Sequence, residues 1–240
     1  MRFQDAAKDA RAVVYAGIQQ DPLVARASAL LAEATPAQRV LARAVMNGET
    51  TDGAAWRTIF PSLFGSTAPT TEAVVHAGTA RTAALDRSEA ILEASLAVAG
   101  RGELVRSQVR GAIVEALAEL LLARRAPPGA IRRERRILFD GVPTEIHPYD
   151  VTVELPGAAE AYDCKWGARG ISADVLHQLD DARAHAAAEG ERLLPVLVVF
   201  DARRSCEVRL ARHTAPRTGT RLVTIETLDR LAGRRPETPS

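Results

Sequence analysis

Two acidic residues and a lysine stand at spacings that suit chemistry on a phosphate group. Asp150 lies in one strand-like segment, and the triplet Asp163-Cys164-Lys165 lies in the next one along the chain. Because residues two apart on a strand project to the same face, Asp163 and Lys165 should point together, with Cys164 pointing away. If the two segments pair as a hairpin, Asp150 joins the same surface. Two carboxylates and an ammonium group there would form a site for a divalent metal ion plus a cation, which suits phosphodiester hydrolysis.

The use of lysine in this chain draws attention to Lys165. Lysine occurs only at positions 8 and 165, and the other 29 basic residues are arginine. An ammonium group is a compact point charge whose pKa shifts readily, whereas a guanidinium group is larger and permanently charged. A lysine kept inside a candidate site therefore favours chemistry that arginine does not perform. The alternative is that Lys165 is an ordinary residue at the edge of a strand.

Composition places the chain among globular proteins. It has 240 residues, of which 47% are hydrophobic and 25% charged, and aromatic residues make up only 4%. We expect a core of Ala, Leu and Val, no membrane span, no secretory signal and a cytoplasmic location. The two cysteines, Cys164 and Cys206, are too few for a disulfide framework or a cysteine metal cluster.

Arginines are grouped even though the formal net charge is only +1. Such groups can neutralise phosphates, although the grouping taken alone slightly favours a solvated surface in an arginine-rich proteome. One group contains Arg124, Arg125, Arg132, Arg133, Arg135 and Arg136, and the other contains Arg203, Arg204, Arg209 and Arg212.

The hydrophobic pattern divides the chain into a helical first part and a mixed second part. We predict a helical N-terminal region over 1–100, an α/β domain over 103–232 and a disordered tail over 233–240. Within the first part the predicted helices cover 3–20, 22–34, 35–48 and 72–99, with a turn-rich linker at 67–71. In the second part we predict helices at 103–125, 172–189 and 226–231, and strands at 131–139, 145–155, 158–166, 193–200 and 221–225. Asp140-Gly141 and Pro156-Gly157 supply the turns between the first three strands.

This order, with these residues in place, resembles the PD-(D/E)xK nuclease superfamily, whose fold is restriction-endonuclease-like. The resemblance implies an αβββαβ core with a mixed sheet, over residues 103–203. It places the first acid of the motif at Asp150 and the (D/E)xK triplet at 163–165.

Two further positions belong to the resemblance. Gly111 and Glu115 match the Gly-x-x-x-Glu pattern of the Mrr-like and archaeal Holliday-junction resolvase branches, which makes Glu115 the third acid. Glu119, one turn later on the same helix face, is the competing candidate. Gln178 matches a glutamine that some relatives carry on the helix after the third strand.

The resemblance implies a magnesium- or manganese-dependent deoxyribonuclease. Asp150, Asp163 and Glu115 would hold the ion, with the backbone carbonyl of Cys164 as a further ligand, and Lys165 would orient or deprotonate the attacking water. Nucleic acid, with DNA as the first choice, would be the partner, in restriction, antiphage defence or repair. Just beyond the triplet, Trp166 and Arg169 are candidates for contact with a base or a phosphate, although Trp166 alternates to the face opposite Lys165 and is expected to pack.

Two other interpretations stay open. The chain can be a catalytically inactive copy of the same fold that binds DNA or serves as an assembly module. It can also be a helical interaction protein in which residues 1–100 provide targeting, dimerisation or regulation. DNA or RNA, the substrate form, sequence specificity, endo- or exonuclease action and the number of metal ions are not determined by these residues.

Overall fold

The computed structural model describes residues 1–6, 10–65, 76–139, 142–143, 147–213 and 220–233. Several predicted features lie outside these ranges: the linker at 67–71, the start of the helix predicted from 72, the Asp140-Gly141 turn, residues 145–146 of the second strand, and the tail from 234 onward. Within the described ranges the elements are β1 (Arg2–Asp5), α1 (Ala10–Gln19), α2 (Pro22–Ala32), α3 (Pro36–Asn47), α4 (Gly53–Ile59), α5 (His76–Ala99), α6 (Glu103–Leu122), β2 (Ile131–Phe139), β3 (Val142–Pro143), β4 (Tyr149–Leu155), β5 (Ala158–Lys165), α7 (Ala173–Ala188), β6 (Arg192–Val199), α8 (Arg203–Leu210) and β7 (Arg221–Val223). Short 3-10 helices cover Pro61–Leu63, Ala168–Gly170 and Ile225–Ala232.

The chain forms two compact units, residues 18–113 and residues 1–17 together with 114–240. This division differs from the predicted one, which placed the boundary near residue 100 and assigned the first seventeen residues to the helical part. The boundary falls inside α6, so the break in the hydrophobic pattern at Gly102 marks the start of a helix and not the end of a unit.

The unit of residues 18–113 is helical, as the sequence pattern predicts. Helix α5 packs against α2 and α3. Asp21 caps α2 ahead of Pro22, and Thr35 and Gln38 form a capping box at the start of α3. These caps satisfy backbone N–H groups that lack partners in the first turn of a helix. Gln38 also donates to Ser88 Oγ of α5 at 3.0 Å, which fixes the two helices at a buried polar contact.

The second unit is an α/β structure built on a mixed sheet. Its strand order is β1-β2-β4-β5-β6-β7, with β3 paired to β2. The pairs β1–β2, β2–β4 and β4–β5 are antiparallel, whereas β5–β6 and β6–β7 are parallel. A helix must join parallel neighbours, and α7 joins β5 to β6 while α8 lies between β6 and β7. Strand β6 is a continuous apolar run and is paired on both sides, with β5 and with β7.

One face of the sheet packs against α7. Ser172 accepts a hydrogen bond from Val175 N and so caps this helix. Leu176, Leu179 and Ala182 of α7 belong to a buried cluster together with residues of the sheet. The sheet contributes Ile137, Phe139, Tyr149, Ala159, Ala161, Leu193, Leu197 and Val199.

Several elements differ from the sequence prediction, which contained neither α4 nor β3. Residues 3–5, predicted as the start of a helix, belong to strand β1, which pairs with β2 through Phe3 and Ile137. Helix α8 was absent from the predicted elements, because Cys206 is its only buried residue and no apolar periodicity marks it. Among the described helices, none combines the length and apolarity needed to cross a membrane.

Candidate active site

The β4–β5 hairpin positions the two acids of the predicted motif. The strands are joined by the turn Pro156-Gly157, where Gly157 adopts a φ of +66°, a conformation that glycine tolerates best. The ladder runs from the pair Leu155–Ala158 to the pair Val151–Tyr162. Asp150 and Asp163 are the next residues on each strand. They therefore stand opposite each other at the end of the ladder, where like charges are unfavourable.

Asp150 is held by the neighbouring strand through its side chain. Its Oδ2 accepts a hydrogen bond from the backbone N–H of Cys164 at 2.6 Å. Burial raises the pKa of Asp150 well above its ordinary value, and the negative charges of Glu115 and Asp163 raise it further. Lys165 and the Cys164 N–H act in the opposite direction but do not cancel the effect. The charges of the other two acids of the site therefore both act on Asp150.

Lys165 and Asp163 project from the same face of β5, as their spacing predicts. The Lys165 ammonium forms an ion pair and hydrogen bond with Asp163 Oδ1, and the side chains are 28% and 8% exposed. Burial alone would lower the pKa of Lys165, but the charges of Asp150 and Asp163 outweigh it and the pKa is raised. The lysine is therefore a fixed cation at neutral pH in this arrangement.

The two glutamates proposed for the third acid have different surroundings. Glu115 is 5% exposed, and its charge acts on Asp150. Glu119 instead forms an ion pair with Arg133 of β2. The structure therefore places Glu115 where its charge acts on Asp150, and gives Glu119 a separate partner.

Tyr15 belongs to the same cluster and was not found by sequence reasoning. Its hydroxyl donates to Glu115 Oε1 at 2.5 Å, across 100 residues of sequence. Burial raises the pKa of Tyr15, and the charges of Glu115 and Asp150 raise it further. The phenol consequently stays protonated and orients the Glu115 carboxylate. No local sequence pattern marks a tyrosine for such a contact.

Gln178 has a structural contact on the β4 side of the site. Its Oε1 accepts from His147 N at 3.2 Å and its Nε2 donates to His147 O at 2.9 Å. This pair of hydrogen bonds ties α7 to the residues that lead into β4, three positions before Asp150. Gln178 therefore acts on the site through the backbone of β4. Trp166 stacks on Phe200 with ring centroids 5.0 Å apart, so it packs as expected.

Three of the six arginines in the first group form ion pairs within the unit. Arg125 pairs with Glu160 and also donates to Tyr162, and Arg135 pairs with Glu154. Together with the Arg133–Glu119 pair, these contacts join α6 and the sheet strands. These three arginines therefore have a structural role, which neither the phosphate-binding interpretation nor that of a solvated surface predicted.

Asp150, Asp163 and Glu115 are the residues that would hold a metal ion at this site. Within the described ranges, no three histidine, cysteine or acidic side chains stand together at the spacing of metal ligands. The three acids are engaged instead by Tyr15, the Cys164 N–H and Lys165. All their ligand atoms are oxygens, and their mutual repulsion raises the pKa of Asp150. Hard divalent cations prefer such oxygen sets, so Asp150, Asp163 and Glu115 fit a magnesium ion in chemical type. The Cys164 carbonyl remains a predicted ligand.

Comparisons of the chain with protein-family models, with curated proteins and with solved structures found no match.

Proposed function

We propose that this protein is a metal-dependent nuclease that hydrolyses phosphodiester bonds, with DNA as its first expected substrate. The observation that carries the proposal is the convergence of Asp150, Asp163, Lys165 and Glu115. These residues come from two neighbouring strands and one helix, and the charges of the other three all act on Asp150. Three acids around one lysine are electrostatically costly, and such strain is concentrated at functional sites.

The fold supports the same proposal. The elements α6, β2, β4, β5, α7 and β6 follow the αβββαβ order that the resemblance implies, and the sheet is mixed. The first acid precedes the β4–β5 ladder and the triplet ends β5, as expected for a restriction-endonuclease-like core. On this basis we assign the unit of residues 1–17 and 114–240 to that fold.

Each residue has a distinct part in the proposed reaction. Asp150, Asp163 and Glu115 would hold Mg²⁺ or Mn²⁺, which when bound supplies a Lewis acid that activates water and offsets phosphate charge. Lys165, kept protonated by the acids, donates to the scissile phosphate and stabilises the negative charge that grows in the transition state. A charged lysine favours this role over that of general base. Tyr15 holds the Glu115 carboxylate in a fixed orientation.

The test is to incubate the purified full chain with labelled DNA and RNA in duplex, single-stranded and branched forms. Each form is assayed with Mg²⁺, with Mn²⁺ and with EDTA. We expect cleavage that depends on the divalent ion. Lys165→Ala and Asp163→Ala should lower the rate by about 100-fold or more, since removing one electrostatic stabiliser commonly costs that much. Lys165→Arg should fail as well, because guanidinium is larger and cannot occupy the same position.

A matched pair of variants tests the third acid. Glu115→Gln should abolish cleavage, whereas Glu119→Gln on the same helix should keep it, because Glu119 is paired with Arg133. Circular dichroism and thermal unfolding establish that the variants remain folded. Undiminished cutting by Lys165→Ala would refute the assigned role. Nucleic-acid binding by the wild type without cleavage under any ion condition would instead favour the inactive DNA-binding module.

A further inference from the structure

An arginine-lined cleft lies beyond the end of β5, between the 3-10 helix Ala168–Gly170 and helix α8. It has a volume of about 350 Å³ and is open to solvent. Positions 205, 208, 209 and 212 recur at the spacing that places residues on one side of a helix. The lining contains no carboxylate and consists of Ala168, Arg169, Ser205, Val208, Arg209 and Arg212.

The charges in this cleft differ from those of the ion-paired arginines Arg125, Arg133 and Arg135. Arg203, on the same helix, is paired with Glu207. In the part of the chain that the structure describes, Arg169 and Arg212 have no ion pair. Arg209 donates through Nε to the backbone carbonyl of Ile171 at 3.0 Å, which fixes its guanidinium without neutralising it. The cleft is therefore a local concentration of positive charge.

The wall that carries Arg169 is anchored at both ends. Ala168 N donates to Asp201 Oδ2 at 3.0 Å, and Asp201 itself is 6% exposed. At the other end, the Ile171 carbonyl receives the hydrogen bond from Arg209. Because both anchors are made by buried or part-buried groups, the position of Arg169 is set by the fold and not by a mobile loop.

The same wall touches the candidate active site. Gly170 lies against the aliphatic part of Lys165: a Cβ added at Gly170 would stand 3.0 Å from Cβ, Cγ and Cδ of the lysine. The residue next to Arg169 is thus in contact with the side chain that ends in the proposed catalytic ammonium.

We propose that this cleft binds backbone phosphates of the nucleic-acid strand that enters the active site, an inference that rests on the proposed nuclease function. Guanidinium groups suit phosphate because they offer paired donors in a plane. Small-molecule sites enclose most of their ligand, whereas this cleft is open to solvent, and Gly170, the residue after Arg169 in its wall, packs against Lys165. An open cleft beside the site favours an extended polyanion. Such contacts position the strand without reading its sequence.

The experiment measures binding in EDTA, so that it does not depend on cleavage. The affinity of the full chain for fluorescein-labelled DNA is titrated at several salt concentrations. The test variant is Arg169→Gln with Arg212→Gln. The control is Arg203→Gln with Arg204→Gln, which removes the same charge from exposed positions of α8 outside the cleft.

We expect the test variant to lower the slope of log affinity against log salt by about 1.8, which corresponds to binding on the order of 100-fold weaker at ~50 mM salt. The control should stay within a few-fold of the wild type. Equal losses in the two variants, or no loss in either, would overturn the inference.

Two further outcomes separate this inference from the proposed function. If the wild type cleaves DNA in Mg²⁺ and the test variant binds and cleaves equally well, the cleft assignment fails while the nuclease stands. If the wild type neither binds nor cleaves nucleic acid, the nuclease proposal has failed and the cleft inference fails with it.

Binding of tripolyphosphate, measured by calorimetry, tests whether the cleft binds a small phosphate compound instead of a strand. Binding of tripolyphosphate that needs Arg169 and Arg212, without binding of DNA or RNA, would identify a small-anion site and overturn the strand assignment.

Discussion

Replacing Asp150 with asparagine should stabilise the folded protein while it removes one of the proposed metal ligands. Asparagine keeps an oxygen that can accept the Cys164 N–H, so the hydrogen bond to β5 can survive. What disappears is a half-buried negative charge that faces the charges of Glu115 and Asp163. Relief of this repulsion should exceed the small loss from a weaker, uncharged hydrogen bond.

The sign follows from the direction of the pKa shift. The pKa of Asp150 is higher in the folded protein than the ordinary value of 3.8. The folded state therefore binds its proton more tightly, and the wild type loses stability as pH rises through the folded pKa. A tenfold difference in proton affinity is worth about 1.4 kcal/mol. Because Asp150 is partly exposed, we expect Asp150→Asn to gain about 1–2 kcal/mol at pH 8.

The assay is urea unfolding in EDTA, followed by fluorescence. Trp56 lies in the helical unit and Trp166 in the α/β unit, so a Trp56→Phe background lets Trp166 alone report on the unit that contains the site. Asp181→Asn is the control, because Asp181 is exposed on α7 and surface changes usually stay within about 0.5 kcal/mol. The gain for Asp150→Asn should shrink as the pH is lowered.

Magnesium should reverse the order of stability. An ion that binds only the folded state adds about 2.7 kcal/mol when its concentration is about 100 times its dissociation constant, which is more than the gain expected for Asp150→Asn. The wild type should gain this stability, and Asp150→Asn should gain much less. A loss of stability for Asp150→Asn in EDTA, equal at pH 8 and pH 5, would refute the reasoning, since it would make the carboxylate a structural acceptor.

Three other substitutions test the surroundings of the site. Gly170→Ala should lower the cleavage rate by about tenfold, because its methyl group forces Lys165 to move and small misplacements are costly; rates equal to wild type under single-turnover conditions would contradict this. Tyr15→Phe should weaken activation by Mg²⁺ by about 10-fold through a less ordered Glu115, seen as a shifted ion titration at unchanged fold. Burial would raise the pKa of Glu160, but its hydrogen bonds to Arg125 and Tyr162 outweigh burial, and the pKa is lowered from 4.5. The Glu160 carboxylate therefore stabilises the fold above pH 4.5 and loses this effect as the pH falls through its pKa in the folded protein. Glu160→Gln should be less stable than wild type by about 1 kcal/mol at pH 7, and the difference should close below about pH 4 in urea titrations.

Local patterns predicted the elements whose physical cause is local. Thr35 with Gln38, and Ser172 before α7, are caps that bond within one helical turn. The Pro156-Gly157 turn fixes the register of the β4–β5 hairpin over a few residues. Once this register is known, the juxtaposition of Asp150 with Asp163 follows from strand geometry alone.

The missed features depend on partners far away in sequence. Strand β1 has no alternating pattern of its own, and it forms because β2 offers a free edge with Ile137 opposite Phe3. Glu115 was predicted as the third acid from the Gly-x-x-x-Glu resemblance, but helix periodicity alone does not separate it from Glu119, which lies one turn later. Arg133 on a later strand forms an ion pair with Glu119, and Tyr15 on an earlier helix donates a hydrogen bond to Glu115.

The buried carboxylate of Asp201 has a consequence for hydrogen exchange. Its side chain accepts hydrogen bonds from the backbone N–H groups of Ala168 and Ala202, and its backbone carbonyl accepts one from the N–H of Ile225. Three separate segments therefore depend on one residue for these contacts. Their amide protons should exchange with deuterium at similar slow rates, because opening any one of them disturbs the shared anchor. The segment at Ala168–Gly170, which packs against Lys165, would then open and close together with the segments at Ala202 and Ile225.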